Sequence, residues 1–180
     1  MGKAVFGMMQ SLDGYVAGAD GSMQVPPPGP LLARHLNDQF RGLAAMVYGR
    51  RIYELMRYWD DDQPDWDAID LDFAATWRDK PKWVASRTLK SVGPNATLIH
   101  DDVEGVVRRL KGDIDGEIDV AGPELAGCLT ASGLIDEYRL YFRPFVLGGG
   151  KPFFARHRPP LHLVSSESVG EDAARLISVI

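Results

Sequence analysis

Five short apolar runs, each bounded by turn-forming residues, constrain the fold of this 180-residue chain more strongly than any other feature. Runs of this length and setting are typical of buried β-strands. They are KAVFGMM (3–9), LAAMVYG (43–49), KWVAS (82–86), ATLIH (96–100) and EIDVAG (117–122). Because helix-like segments separate most of these runs, the pattern predicts crossover units and a largely parallel central sheet.

Three segments between these runs repeat apolar residues at helical spacing. The first carries Leu32, Leu36, Phe40 and Leu43, the second Trp66, Ile69, Phe73 and Trp77, and the third Val103, Val106, Val107 and Leu110. After Gly133 two long strand-like runs follow (136–150 and 161–180), and Gly148–Gly150 is expected to form a bend between strands. The predicted fold class is α/β, with a central mostly parallel sheet, helices on both faces and antiparallel C-terminal strands.

Composition sets the size of the domain and limits its partners. With 45% hydrophobic and 25% charged residues, the chain is expected to fold as a single domain over residues 1–180. The net charge of -5 and the lack of a Lys/Arg run argue against nucleic acid or an anionic membrane as main partner. No apolar stretch reaches the roughly 18 residues of a membrane span, and the first residues lack the plan of a signal peptide. We therefore expect a cytoplasmic protein that acts on a small molecule.

The single cysteine, Cys128, limits the chemistry available to the chain. A lone cysteine excludes an intrachain disulfide and a zinc site built from a cluster of thiolates. Because Cys128 falls at an apolar position of a helical segment, we expect it to be buried in the core. We expect no metal site.

Two of the apolar runs end in small residues that are followed by arginines. Gly49 is followed by Arg50 and Arg51 where a helix is predicted to begin, which brings free backbone N–H groups and guanidinium groups together. Ser86 is followed by Arg87 at the carboxyl end of another run, where ligands of open α/β sheets bind. Either feature alone is also compatible with an ordinary surface turn.

A third run ends in Ala121-Gly122, and Pro123 follows at the start of an apolar helix. Small residues let a ligand approach the backbone closely, and proline suits the first helical turn because its missing N–H would be unpaired there. Glu124 matches the helix dipole but would repel a phosphate in direct contact. Although no G-x-G-x-x-G fingerprint or Walker loop occurs in the chain, the three strand ends together predict a phosphorylated cofactor laid across them. The arginines at the first two ends would supply the positive charge.

Five motifs occur along the chain in a familiar order: SLDGYVAG (11–18), YGRRIYE (48–54), ASRTL (85–89), DVAGPEL (119–125) and LIDEYRLYFRPFVLGGGKPFF (134–154). With these motifs the chain resembles, along essentially its full length, the dihydrofolate reductase-like fold and within it the RibD C-terminal family of riboflavin biosynthesis. The resemblance implies a three-layer fold and an NADPH-dependent reductase similar to 5-amino-6-(5-phosphoribosylamino)uracil reductase. Its substrate would be a small pteridine- or pyrimidine-like heterocycle, or a related imine or carbonyl.

The resemblance also implies where the cofactor lies. The pyrophosphate would contact Gly49, Arg50, Ala121, Gly122, Glu124 and Leu125. The adenosine ribose and its 2′-phosphate would contact Ser86 and Arg87, with Arg51 as a second candidate for the phosphate. The nicotinamide would lie near Met9, Leu12, Asp13 and Val16, facing a substrate pocket roofed by the stiff loop VPPPGP (25–30). A homodimer formed through the late strands is also expected.

Three departures from the family pattern narrow these expectations. Ile52 stands where members often carry threonine, which removes one hydroxyl contact to phosphate. The resemblance places the carboxylate with which dihydrofolate reductase binds the pterin ring near Ala33 of the first helix, with His35 and Asn37 close by. Because Ala33 is not an acid, folate reduction is not expected. The chain also lacks the cysteine and histidine ligands of the zinc-dependent deaminase that is fused to the riboflavin enzyme, which implies a stand-alone reductase domain.

Asp13 is the candidate catalytic residue, because the cofactor carries the hydride chemistry but a proton must still reach the product. An Asp-Gly pair after a strand also forms turns, which is the competing interpretation. His35 is expected on a solvent-exposed helix face, and Trp59, Trp66 and Trp77 are expected in the core rather than around a ligand. The alternative function is a non-catalytic dinucleotide- or flavin-binding module on the same fold.

Overall fold

The computed structural model describes residues 1–22 and 25–180. Within these residues the chain forms ten β-strands, five α-helices and a short 3-10 turn at Arg57–Trp59. The strands are β1 (Lys3–Ser11), β2 (Tyr15–Ala17), β3 (Leu43–Gly49), β4 (Lys82–Ala85), β5 (Ala96–Ile99), β6 (Glu117–Ala121), β7 (Glu137–Arg143), β8 (Lys151–Pro152), β9 (His162–Ser168) and β10 (Ala174–Val179). The helices are α1 (Pro30–Gly42), α2 (Arg50–Met56), α3 (Ala68–Asp79), α4 (Val103–Asp113) and α5 (Pro123–Ala131).

Eight strands form one sheet in the order β5-β4-β3-β6-β1-β7-β10-β9, and β2 pairs separately with β8. The six strands from β5 to β7 run parallel to one another, whereas β10 pairs antiparallel with both β7 and β9. The predicted α/β fold, with a mostly parallel centre and antiparallel C-terminal strands, is therefore confirmed. Strands flanked by crossover helices on both faces are mostly apolar, which explains why their runs were visible in the sequence.

Helices cover both faces of this sheet. On one face, α4 and α5 pack Val107 and Leu129 against Phe6 and Ile118 of the two central strands. On the other face, α1 and α3 close over the sheet, and the ring of Trp77 stacks on that of Tyr48 with 5.6 Å between the ring centroids. Each of these buried side chains stabilises the fold by about 1.5–3 kcal/mol through removal of apolar surface from water.

Capping sets the start of α3. The Asp67 carboxylate accepts hydrogen bonds from the backbone N–H groups of Ile69 at 2.7 Å and Asp70 at 3.1 Å, and the Asp70 side chain accepts one from the Asp67 N–H. This reciprocal pair fixes the helix start at Ala68. Trp66, which the helical spacing placed in α3, therefore lies in the preceding loop. Leu43 similarly belongs to β3 and not to α1.

The strand predicted over 136–150 is shorter in the structure. β7 ends at Arg143 because the next residue, Pro144, has no N–H to donate to a strand ladder. Gly148 and Gly150 then adopt φ angles of 72° and 146°, so the predicted bend is confirmed. Among the described residues, none of the helices combines the length and the apolar character that a membrane span needs.

The prediction that Cys128 is buried is wrong, since its side chain is exposed on α5. The α5 side chains that face the sheet come from Ala126, Leu129 and Thr130. Cys128 lies on the outer side of the helix. Because α5 has only a weak polar face, its sequence did not indicate which side of the helix packs against the sheet.

Candidate functional site

The sheet topology brings the three predicted strand ends together at one edge. β3 lies between β4 and β6, so Gly49 pairs with Ala85 and Tyr48 pairs with Ala121. A Cβ atom added to Gly122 would lie 3.7 Å from the Gly49 amide nitrogen. The three ends therefore form one continuous surface, as the parallel arrangement required.

Gly122 joins β6 to α5 with a backbone conformation that favours glycine. Its φ of 109° lies in the left-handed region, and Pro123 follows as the first helical residue. The first helical hydrogen bond runs from the Ala126 N–H to the Gly122 carbonyl. The N–H groups of Glu124 and Leu125 come before it and have no acceptor within the helix. This turn therefore presents hydrogen-bond donors that suit an anionic ligand.

Positive charge is available next to this turn. Arg51 and Arg87 are exposed, and neither forms an ion pair within the part of the chain that the structure describes. Arg50 pairs only with an acid one helical turn later, at 3.4 Å. Glu124 is paired with Arg156 at 2.5 Å, which reduces the repulsion that a nearby phosphate would meet. The surface can therefore bind an anion although the protein as a whole is acidic.

The Ser86 hydroxyl holds the turn that carries Arg87. Its Oγ accepts hydrogen bonds from the backbone N–H groups of Thr88 at 3.2 Å and Leu89 at 3.0 Å. Ser86 is buried, so it orients the neighbouring backbone. A contact between its hydroxyl and a cofactor ribose stays a prediction.

A cavity of about 360 Å³ opens between the sheet and the helices α1 and α3, beside the strand ends. Its floor is formed by β1, β3, β6 and β7, and its walls by α1, α2, α3 and the loop before α1. Most of the lining side chains are apolar. A cavity of this size and character is in the range of small-molecule sites.

Three of the predicted cofactor residues, Met9, Val16 and Ala121, line this cavity. The proline-rich loop contributes Val25 and Pro28 to the lining, which confirms that it lies over the pocket. The other predicted cofactor residues lie at the strand ends, outside the cavity lining: Gly49, Arg50, Arg51, Ser86, Arg87, Gly122, Glu124 and Leu125.

Most polar side chains in the cavity wall are paired within the protein. Asn37 donates to a backbone carbonyl of α3 at 2.9 Å, and the Tyr141 hydroxyl donates to Gln39 at 2.7 Å. Arg139 forms ion pairs with one glutamate of β6 and one of β7. No group of three or more His, Cys, Asp or Glu side chains in the described residues is arranged to hold a metal ion.

Asp119 is a polar residue of the cavity wall without a partner in the described residues, and the sequence analysis did not identify it. It lines the cavity from the middle of β6, where its neighbours in register are Val5 and Met46. No hydrogen bond or ion pair reaches its carboxyl group from the residues that the structure describes. Burial raises the pKa of Asp119 to about 7, with the Arg139 charge acting in the opposite direction and the Glu117 charge adding to the increase. The signal in the sequence was one acid inside an apolar strand run.

Replacing Asp119 with asparagine is expected to stabilise the protein at alkaline pH. Between 3.8, the usual pKa of this group, and about 7, the folded state binds more protons than the unfolded state. The free energy of unfolding of the wild type therefore falls as the pH rises through this interval, and asparagine removes that fall. Because Asp119 is half-buried and not fully enclosed, we expect a gain of about 2 kcal/mol at pH 8 and a smaller gain at pH 5.

Urea denaturation of the wild type and Asp119→Asn at pH 5 and pH 8 measures this difference. Asp65→Asn is the matched control, because Asp65 is exposed. Its effect should stay within about 0.5 kcal/mol at both pH values. Equal stability of wild type and Asp119→Asn at pH 8 would contradict a raised pKa.

Asp13 lies outside the cavity lining, and its carboxylate holds the loop after β7. It accepts hydrogen bonds from the backbone N–H groups of Leu147 at 3.1 Å and Gly148 at 2.7 Å. The Ser11 hydroxyl, followed by these N–H groups, lowers the pKa of Asp13, so the group stays ionised near neutral pH. This geometry favours the turn interpretation, and a catalytic role for Asp13 stays a prediction.

His35 is half-buried, so the prediction of a solvent-exposed position is wrong. Its Nε2 atom lies 3.1 Å from the Tyr141 hydroxyl and 3.4 Å from the Arg175 guanidinium, because β7 and β10 run alongside α1. Burial, followed by the Arg175 charge, lowers the pKa of His35 and favours the neutral imidazole. His35 thus supports the cavity wall from behind Tyr141.

The tryptophans divide between core and cavity. Trp77 is fully buried, as predicted. Trp59 packs against Phe73 with ring centroids 4.8 Å apart, but it also lines the cavity. Trp66 lies against Trp59 at 4.9 Å, outside the lining. The core interpretation therefore holds for Trp77 and is incomplete for Trp59.

Comparison with known proteins gives one family and a consistent fold. The model of the RibD C-terminal domain matches residues 3–174. "Uncharacterized protein YyaP" of Bacillus subtilis (strain 168) is 25% identical over 178 residues, which cover 97% of this chain and 93% of that protein.

Solved structures share this fold, and two of them illustrate the degree of similarity to this chain. "Putative riboflavin biosynthesis protein" from Shewanella sp. PV-4 superposes with a TM-score of 0.74 at 22% identity, covering 98% of each chain. A diaminohydroxyphosphoribosylaminopyrimidine deaminase/5-amino-6-(5-phosphoribosylamino)uracil reductase from Thermotoga maritima superposes with a TM-score of 0.66 at 14% identity. The superposition covers 98% of this chain and 56% of that protein, so it spans about half of the two-function enzyme.

Proposed function

This chain belongs to the RibD C-terminal domain family, and from that premise we propose that it is an NADPH-dependent reductase. The proposed substrate is a small pteridine- or pyrimidine-like heterocycle, or a related imine or carbonyl compound. The Thermotoga maritima protein that shares the fold is named as a 5-amino-6-(5-phosphoribosylamino)uracil reductase. Its identity to this chain is only 14%, so the activity is carried over as a proposal.

One observation carries the proposal: the apolar cavity and the strand-end surface meet at β6. Ala121 lines the cavity, and Gly122, the next residue, begins the turn that presents N–H donors. A dinucleotide whose phosphates lie on the strand ends could therefore place its reactive ring at the mouth of the cavity. An apolar cavity excludes water, which hydride transfer requires of the protein.

The residues at the strand ends fit a phosphorylated dinucleotide. Arg51 and Arg87 are exposed without an ion-pair partner in the described residues, so they would lose no ion pair on binding phosphate. The pairing of Glu124 with Arg156 limits repulsion at the α5 turn. When bound, the cofactor would supply the hydride, while Met9 and Val16 of the cavity lining would pack against its ring.

A binding titration with NADPH and NADH tests the cofactor assignment. We expect the wild type to prefer NADPH and Arg87→Ala to lose mainly this preference. Loss of one charge-assisted contact to the 2′-phosphate should weaken NADPH binding by about tenfold to a hundredfold and leave NADH binding nearly unchanged. Cofactor fluorescence or thermal shift provides the measurement.

Arg108→Ala is the matched control for this experiment. Arg108 is exposed on α4 and has no ion-pair partner in the described residues, but it lies away from the strand ends. Its replacement should leave both affinities unchanged. Failure of both dinucleotides to bind the wild type would refute the reductase proposal. Binding without NADPH consumption across a panel of pteridines and pyrimidines would instead favour the non-catalytic module.

We also propose a cytoplasmic location and, from the family resemblance, a homodimer. The edge strand β9 exposes Leu163 and Val164 by 63% and 60%, which supports an interface on this side of the sheet. Sedimentation equilibrium would distinguish a dimer from a monomer.

A further inference from the structure

We propose that Asp119 recognises the substrate, and that its carboxyl group accepts hydrogen bonds from N–H groups on the edge of a neutral, planar nitrogen heterocycle. This inference deepens the proposed function and rests on it, because it concerns the substrate of the same cavity. It places the recognition group on the sheet, because Ala33 of the first helix is not an acid and Asp38 is exposed and paired with Arg41.

The position of Asp119 leaves its carboxyl group without a partner in the protein. The register neighbours on β1 and β3 are Val5 and Met46, whose side chains offer no hydrogen-bond donor. The backbone N–H groups of β6 form hydrogen bonds with the strands on both sides, β3 and β1. A carboxyl group in such a place is costly unless a ligand supplies the donors.

The other polar side chains of the cavity wall are already in use. Asp70, the second acid in the lining, accepts a hydrogen bond from the Asp67 N–H in the α3 cap. The Tyr48 hydroxyl donates to the Met46 sulfur at 3.1 Å. With Asn37 and Tyr141 also paired, Asp119 is the acid in the described cavity lining that is free to bind a ligand.

Charge indicates which ligands the cavity accepts. Arg139 lines the cavity, but it is neutralised by ion pairs to Glu117 and Glu137. Together with the carboxyl group of Asp119, these ion pairs leave the cavity without a net positive charge that would attract an anion. The cavity therefore favours a neutral or cationic ring and disfavours a substrate whose acidic group enters it.

The spacing along β6 suits a ring that reaches from the strand end to Asp119. Ala121 is two residues later on the same face, which is about 7 Å along a strand. Both residues line the cavity. A flat ring system in contact with both would bring one end to the strand end, where the proposed cofactor lies, and its N–H edge to Asp119.

Calorimetric titration at pH 7 tests the proposal with two related probes, lumazine and 1,3-dimethyllumazine. The second compound lacks the ring N–H groups. We expect the wild type to bind lumazine at least tenfold more tightly than the dimethyl compound. Asp119→Leu, which has a similar shape but no acceptor, should bind both compounds equally. Asp119→Asn, which keeps one neutral acceptor, should have an intermediate preference.

Asp65→Asn is the control and should keep the wild-type preference, because Asp65 is exposed and outside the lining. Thermal unfolding of each variant shows whether it is folded. Equal binding of the two compounds by the wild type, no binding of lumazine, or an unchanged preference in a folded Asp119→Leu variant would each overturn the proposal.

NADPH titration of the same samples separates this inference from the proposed function. If NADPH binds but the preference for lumazine is absent, recognition by Asp119 fails and the reductase proposal stands. If the preference for lumazine is present and depends on Asp119 but NADPH does not bind, the inference is supported and the reductase proposal fails.

Discussion

Replacing Arg143 with alanine is expected to lower the free energy of unfolding by about 3–5 kcal/mol. The side chain is 3% exposed at the end of β7. Its guanidinium group donates to the Asp172 carboxylate and backbone carbonyl, both at 2.8 Å, and to the carbonyls of Pro26 and Pro27 at 3.1 and 3.2 Å. Alanine would leave a partly buried carboxylate and three backbone carbonyl groups without this donor.

The same substitution should loosen the cavity roof. Pro26 and Pro27 belong to the loop whose Val25 and Pro28 line the cavity, so Arg143 ties this loop to the sheet. We therefore expect weaker binding of any cavity ligand as well as lower stability. Urea denaturation measures the stability, and a ligand titration on the folded variant measures the binding.

Arg41→Ala is the control for Arg143→Ala. Arg41 also pairs with aspartates, at 2.6 and 2.7 Å, but its side chain is 51% exposed. Its loss should change the free energy of unfolding by less than about 1 kcal/mol, because surface ion pairs contribute little. If the two variants are equally stable, the roof is not held by Arg143.

Replacing Gly150 with alanine is expected to destabilise the protein by about 3–5 kcal/mol. Its φ of 146° is a conformation that residues with a side chain rarely adopt. The added Cβ atom would also press directly against the Ala17 carbonyl oxygen and lie 3.2 Å from its carbon. Relief of this clash requires β8 to move away from β2, which would displace Val16 from the cavity lining.

Gly149→Ala provides a control one residue away. A Cβ atom at Gly149 would meet nothing within 4 Å. Its φ is not among the positive values, so alanine fits the backbone. We expect a change of less than about 0.5 kcal/mol. Thermal or urea denaturation compares the stabilities of the Gly149→Ala and Gly150→Ala variants. Equal stabilities would show that Gly150 does not pack closely against β2.

The elements of the parallel sheet could be predicted from the sequence because their burial on two faces leaves continuous apolar runs. β3 has the predicted bounds, 43–49. The strand ends could also be predicted, since parallel strands end at one edge and Gly122 marks a sharp turn. Orientation around a helix was harder: Cys128 and His35 were both misplaced, because their burial depends on the neighbouring strands.

Asp119 was missed for a related reason. Strand periodicity places it on the same face as Ala121, but the sequence does not reveal that a cavity opens over that face. In the sequence, an acid that lines a cavity and one that is fully solvated look alike until the opposing helices are in place. For Asp13 the error would run in the opposite direction. Its position after β1 suggested a catalytic role, but its carboxylate accepts hydrogen bonds from Leu147 and Gly148, which are distant in the sequence.

The interior position of β1 has a consequence for how the protein is synthesised. Lys3 at the start of this strand pairs with Glu137, which is 134 residues later in the chain. β1 therefore leaves the ribosome long before either of its neighbours, β6 and β7, exists. At about 5–20 residues per second, an apolar strand waits for several seconds or longer without hydrogen-bond partners. We expect this segment to be the one that chaperones protect on the nascent chain, and folding to be slow because its decisive contacts are non-local.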